Sequence, residues 1–366
     1  MRDFCYDVVI IGGGPAGMAA GIALKNLGLE KVLAVEAGTY SKPKVGESIP
    51  PDTIKLFQRL GIAHDFILQN HEHCLGSYSC WGDSSLGFND NVFNPHGHGW
   101  HLDRCRFDSF MALQFQKSGG ELIENNRFDD VAVNQGALYP IQLSFVTGQD
   151  IRSRFVVDAT GQSAKLARKF GAQVNTHDSM MSIAAYFNCE DTKLGENKLT
   201  LLEAVEYGWW YCAALPNNQL IVSLTSDANL LKAFRAKDPA SWFSLLEQTQ
   251  YVKSRTYGLR APKRLNSWKT PSSILNPPAG SGWCAVGDAA SCYDPISSQG
   301  IYKALSNGLQ AAPAIIQWLE GDPGLLIDYR KSVASDFINY LEQRAYFYQQ
   351  EQRWNEAEFW TNRRAS

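Results

Sequence analysis

The sequence predicts an α/β fold: a parallel sheet flanked by helices, an inserted antiparallel sheet, and a helical C-terminal segment. Three observations predict it. The apolar run Asp7-Val8-Val9-Ile10-Ile11 enters the turn Gly12-Gly13-Gly14-Pro15-Ala16-Gly17 and then a stretch of small residues. A second apolar run, Val32-Leu33-Ala34-Val35, follows and ends in Glu36. Residues 173 to about 270 read instead as long antiparallel strands, Met181 to Phe187 and Leu220 to Leu224 among them, interrupted by a helical stretch from Asn229 to Gln248.

Strand, glycine turn, helix, strand and acid, in that order, form a Rossmann-type dinucleotide fingerprint. Gly12 permits the tight turn, Gly14 lets the backbone approach a pyrophosphate, and Gly17 lets the helix pack close to the strand. Pro15 and Ala16 open the helix, whose unpaired N–H groups face the phosphates. Glu36 lies about twenty residues further on, where a carboxylate accepts from both hydroxyls of an adenosine ribose, with Ala37 beside it.

Later segments extend the same site. Val45-Gly46-Glu47-Ser48-Ile49-Pro50-Pro51 precedes a helix. Ser48 reads as the cap of that helix and the prolines as its first turn, while Gly46, Glu47 and Ser48 are also candidate cofactor contacts. Residues 71 to 100 read as short strands with turns. Arg104, just before the helix from Phe107 to Lys117, is a candidate phosphate contact. In mid-chain lies Arg154-Phe155-Val156-Val157-Asp158-Ala159-Thr160-Gly161. Near the C-terminus a strand runs into Gly287-Asp288, where Asp288 is placed to accept from a ribityl hydroxyl. Pro295 and Gly300 then bracket the start of a helix containing Ile301, whose N-terminal amides would face a flavin pyrimidine. These segments make FAD the expected nucleotide. The tail from Pro323 to Arg364 reads as helical. The expected division is an FAD domain of residues 1–70, 101–172 and 275–325, a substrate or partner domain of 71–100 and 173–274, and a helical segment of 326–366.

Bulk properties narrow the function. Apolar residues make up 45% of the 366, charged residues 19%, and the net charge is −3 without a long basic run. Nothing favours nucleic acid or an anionic membrane, and no apolar run is long enough to span a bilayer. Eight cysteines without Cys-x-x-Cys spacing read as reduced thiols of a cytoplasmic protein. His96, His98 and His101 cluster, but no Cys, Asp or Glu set completes a metal site, so no metal is expected; one of the three could act as a base toward an aromatic ring.

Together these segments resemble the flavoprotein monooxygenase superfamily with the fold of p-hydroxybenzoate hydroxylase. The Asp158-Ala159-Thr160-Gly161 form is closer to the flavin-dependent halogenases and geranylgeranyl reductases, and Gly46-Glu47-Ser48 resembles the flavin-contacting segment of tryptophan halogenases. Halogenases also carry a lysine after that segment; His71 to Trp81 contains none. Their Glu-Ser pair after Asp-Pro reads Ser297-Ser298 here, and their Trp-x-Trp-x-Ile-Pro signature reads Tyr211-Cys212-Ala213-Ala214-Leu215-Pro216. The resemblance therefore implies an aromatic monooxygenase. O₂ and an external reductant would be its co-substrates, and the C4a-hydroperoxide of the flavin would transfer oxygen.

Gly-Glu-Ser-Ile-Pro-Pro, Gly208-Trp209-Trp210-Tyr211 and the tail Gln352 to Trp360 resemble the modifying flavoproteins that mature the cysteine tryptophylquinone of glycine and lysine oxidases. That resemblance implies a precursor quinone-dependent amino-acid oxidase as protein substrate, hydroxylated on a tryptophan. Glu47, Ser48, Ser298, Trp209 and Tyr211 are the candidate residues near the reacting ring. The alternatives are a small-molecule aromatic hydroxylase, a geranylgeranyl-reductase-like flavoenzyme, and a non-catalytic flavin-binding chaperone of an oxidase.

Overall fold

The computed structural model describes residues 4–42, 44–91, 94–189 and 197–364. The remaining residues, which include parts of the segments delimited above, lie outside it. The apolar runs become neighbouring parallel strands. Cys5–Ile11 sits between Val32–Val35 and Asp150–Asp158, and Trp283–Ala285 continues the sheet beyond Asp158. Val8 to Ile11 are at most 3% exposed, as expected of a parallel strand covered on both faces. Register aligns Val35, Ile11, Asp158 and Ala285 in one row across four strands. Their carboxyl ends therefore share one edge, the place where open α/β sheets bind ligands.

Two helices lie at that edge. Pro15–Asn26 packs along Gly300–Leu319, and the contact is close because Gly308 has no side chain: a Cβ there would sit 2.7 Å from Ala16 O and Ala20 N.

The alternating segments form a second sheet of seven strands, ordered Asn266–Lys269, Met180–Asn188, Gln219–Asp227, Gly208–Leu215, Thr200–Val205, Gly76–Cys80 and Gly87–Asp90. Successive side chains alternate faces. One face buries Ile183, Trp210, Cys212, Val222 and Leu224 against Trp242 and its neighbouring helices. The other carries Trp209, Tyr211, Ile221, Ser223 and Thr225 toward the carboxyl edge of the parallel sheet.

Three expectations need correction. Ser48 caps no helix: Ser48–Ile49 is a short strand paired with Trp100 and His101, and the helix begins only at Thr53. The stretch from Asn229 to Gln248 is two helices, Ala228–Ala233 and Pro239–Leu246. Arg235 takes a left-handed turn between them, and Asp238 caps the second by accepting from Ser241 N at 2.9 Å. The tail is likewise interrupted. Gly324–Gln350 ends where Glu351 turns extended, accepts from Gly82 N at 2.9 Å and pairs with Arg353, and a helix resumes at Glu358–Arg364. Phe359, Trp360 and Tyr348 pack on Trp209 and Met180, and Arg363 is bidentate to Asp227 at 2.8 and 3.0 Å. Among the described residues no helix is long and apolar enough to cross a membrane.

Candidate active site

A cavity of about 770 Å³ runs along the shared carboxyl edge, between the two sheets. Four strands at roughly 4.8 Å spacing give this edge a length of about 14 Å. The fingerprint forms its floor. Gly12 has φ +115°, and a Cβ there would lie 2.2 Å from Ala159 O. Gly14 is the N-cap of helix Pro15–Asn26, with no side-chain cap and no acid in the first turn, so the helix N–H groups are left for a ligand. A Cβ on Gly14 meets nothing within 4 Å and would project into free space. Pro15 and Ala16 line the same wall, whereas Gly17 does not: it lets the helix close on Gly12 O.

Glu36 and Ala37 line the cavity next to the fingerprint. The Glu36 carboxylate accepts from Gly13 N at 2.7 Å and Gly38 N at 3.0 Å, which fixes its direction and leaves lone pairs for a ribose. Asn126 donates its backbone N–H to Glu36 O at 3.0 Å and brings Arg127 to this end. Glu36→Ala is expected to weaken FAD binding through lost charge-assisted hydrogen bonds of about 1.5–3 kcal/mol each. FAD titration of the apoprotein checks this; wild-type affinity would show that Glu36 is no ligand.

The next wall comes from the C-terminal third. Asp288 lines the cavity and pairs with Lys303 Nζ at 3.0 Å; the same ammonium donates to Ser291 O. Gly287 stays behind the wall, where a Cβ would press within 2.6 Å of Ala16 Cβ. Pro295, Ser298, Gly300 and Ile301 all reach the cavity, and Asp294 turns the loop by accepting from Ile296 N at 3.0 Å.

Gly46, Glu47, Ser48 and Arg104 form the rim. Arg104 is held by Asp108 at 3.2 Å and donates to Val45 O and to Gly46 O, so in this structure it shapes the rim backbone. Glu47 is buried; it accepts from Tyr186 OH at 3.2 Å and from Gly46 N at 3.1 Å. Burial pushes its carboxyl above the usual range, against the pull of these donors and Arg104. The aromatic ceiling consists of Trp209, Tyr211 and Trp268, interleaved with Ser182, Ser223, Thr225 and Thr270. Tyr211 OH and Ser48 Oγ are 2.9 Å apart, and burial keeps the phenol protonated far above neutral pH. Ser223 Oγ is buried and makes no hydrogen bond.

Several lining residues were missed. Thr160 and Gly161 belong to the mid-chain segment and follow Asp158, which accepts from Thr160 N and Ala167 N at 2.8 and 2.7 Å. Arg127, Lys44 and Lys269 carry no motif and come from loops and an edge strand. Histidine as a base needs correction: among the described residues, none lines the cavity. His101 bonds Thr200 Oγ1 at 2.9 Å, and burial pushes its pKa down to about 4. His98 stacks on His73 at 3.8 Å. No group of three His, Cys, Asp or Glu is arranged to hold a metal among the described residues.

An open cradle at Gly14, unpaired helix N–H groups, an oriented carboxylate and a second helix N-terminus fit a dinucleotide with a ring system at its far end. Comparisons agree. LodB of Marinomonas mediterranea, named for an FAD-dependent oxidoreductase, is 26% identical over 368 residues, 98% of this chain and 97% of LodB. A brominase of Pseudoalteromonas luteoviolacea, named for pyrrole-2-carbonyl peptidyl-carrier protein, is 25% identical over 93% of this chain and 87% of its own. Two solved structures share the fold. The myxobacterial chondrochloren halogenase CndH superposes with TM-score 0.87 at 20% identity, covering 98% of this chain and 86% of that one. QhpG, a peptidyl tryptophan dihydroxylase essential for tryptophylquinone cofactor biogenesis, superposes with TM-score 0.80 at 22% identity, covering 98% and 78%. The FAD binding domain model matches residues 5–344, so the chain belongs to the FAD binding domain family and FAD is its cofactor.

Proposed function

We propose that this chain is an FAD-dependent monooxygenase that hydroxylates a tryptophan side chain in the precursor of a quinone-dependent amino-acid oxidase. One observation carries the reading: the dinucleotide cradle and an aromatic, hydroxyl-lined ceiling share a single cavity. FAD supplies the oxygen-transfer chemistry, and the chain's own residues bind, orient and keep out water. Trp209, Tyr211 and Trp268 suit an aromatic acceptor. Tyr211 stays protonated as a donor, while Ser48 and Ser223 offer further polar partners. Similarity to QhpG over nearly the whole chain supports a protein-borne tryptophan, and similarity to LodB supports an FAD-dependent oxidoreductase.

A halogenase is the second reading, favoured by the brominase and CndH. Against it, the segment His71 to Trp81 contributes no residue to the cavity. The lysines that do line it, Lys44, Lys165 and Lys269, come from other elements, and Lys44 is paired with Asp108 at 2.8 Å.

The test is co-expression with a precursor oxidase, followed by peptide mass analysis in chloride- and bromide-containing medium. We expect added oxygen on one tryptophan and no halogen. Trp209→Ala or Tyr211→Ala should lower modification more than FAD content. A halogenated peptide, or full quinone formation without this protein, would refute the proposal.

A further inference from the structure

Two walls of the cavity belong to different elements, a strand of the antiparallel sheet and the loop before helix Gly300–Leu319, and one residue of a third element is bonded to both. Tyr348 lies near the end of helix Gly324–Gln350 and is fully buried. Its hydroxyl accepts from Trp209 Nε1 at 3.0 Å and donates to Asp294 Oδ2 at 2.8 Å. Trp209 lines the cavity from the antiparallel sheet; Asp294 lines it from the loop that carries Pro295 and Ser298. Arg344, one turn earlier, holds the same Asp294 oxygen at 3.3 Å and reaches Asp178 at 2.9 Å. Tyr340, another turn back, accepts from Asp294 N at 2.6 Å. Residues at four-residue spacing thus turn one helix face onto this loop.

Packing alone does not require the phenol oxygen. The Tyr348 ring lies against Trp360 at 5.9 Å and Phe359 at 6.0 Å, contacts that phenylalanine would also make. The hydroxyl is instead matched on both sides, one donor and one acceptor, so it defines a direction for the indole as well as a contact. Without it the Trp209 N–H loses this partner among the described residues, and the ring is held by packing.

We propose that Tyr348 is a positioning residue, which sets the orientation of Trp209 relative to the loop Asp294–Ser298, and that Trp209 so held is the stacking face for the aromatic acceptor. The orienting role rests on the cavity being the flavin site. The identity of the acceptor rests on the proposed function.

The test uses FAD-loaded wild type, Tyr348→Phe, Trp209→Phe and the double variant. The first readout is the fluorescence decay of the bound flavin, because an indole in the same cavity quenches it in a geometry-dependent way. Tyr348→Phe should give a longer and broader decay than wild type. In the Trp209→Phe background the same substitution should change nothing further. An unchanged decay in Tyr348→Phe, or an equal change in both backgrounds, would overturn the proposal. The second readout is hydroxylated partner formed per reductant consumed. It should fall about tenfold to a hundredfold in Tyr348→Phe at unchanged FAD content, as a misplaced acceptor loses the productive geometry. If Tyr348→Phe does not fold, Asp294→Asn, which keeps the phenol but weakens its anchor, should lengthen the decay in the same direction; no change there overturns the proposal. If wild type hydroxylates no partner, the proposed function fails, and the fluorescence cycle still decides the role of Tyr348.

Discussion

Gly14→Val is expected to give a folded protein that does not hold FAD. Gly14 has φ −74° and ψ 178°, extended backbone that valine adopts without strain. Its added Cβ touches nothing within 4 Å, so the fold has no reason to object. The isopropyl group would instead occupy the space at the helix N-terminus where the pyrophosphate must approach the backbone. FAD affinity should fall by at least about a hundredfold, roughly 2.7 kcal/mol. The thermal midpoint of the apoprotein should stay within about 2 °C of wild type. Gly17→Ala is the contrasting control. Its Cβ would lie 2.2 Å from Gly12 O, so fold and cofactor should be lost together. Titration of apoprotein with FAD, alongside thermal melts, separates the two. A yellow Gly14→Val protein with wild-type affinity would place the dinucleotide elsewhere.

Arg344→Met should destabilise the chain by about 3–5 kcal/mol near neutral pH, because it leaves buried carboxylates without their cation. Asp294 is 0% exposed, and burial already holds its carboxyl above the usual range while Arg344 pulls it down. Removing the guanidinium raises it further. The folded variant then binds a proton that the unfolded chain, with an aspartate pKa of about 3.9, has released. Stability of the variant therefore falls as pH rises through that raised value and recovers as pH falls toward the unfolded one. Urea unfolding of both proteins at about pH 5 and about pH 8 checks the sign, with the smaller gap expected at the lower pH. An equal gap would show that Asp294 is not the group left charged.

The sequence-assigned residues that meet in the cavity act over short spans. Gly12, Gly14 and Glu36 occupy one strand–turn–helix–strand unit, so their spacing carries their geometry. Trp209 and Tyr211 could be read as a pair because strand residues two apart share a face. Their facing the cavity depends on the sheet's inner layer of Trp210 and Trp242, which no local pattern announces. Ser48 was misread for a similar reason. Its strand partners, Trp100 and His101, lie some fifty residues away, whereas a serine before two prolines is a good local cap signal. The histidines looked available because polar loop residues usually are, yet His101 is consumed by a buried bond to Thr200. Tyr348 gave no sign at all: its partner Trp209 is 139 residues distant.

The meeting of helices Pro15–Asn26 and Gly300–Leu319, where Gly308 rests on Ala16 and Ala20, also orders events during synthesis. A nascent chain leaves the ribosome with its fingerprint long before the surface that this helix needs, and the loop opposite it, are made. Such long-range closure is slow and late. Cofactor capture is therefore expected to wait for helix Gly300–Leu319, and a chain that stops short of Gly300 is expected to present the fingerprint without holding flavin.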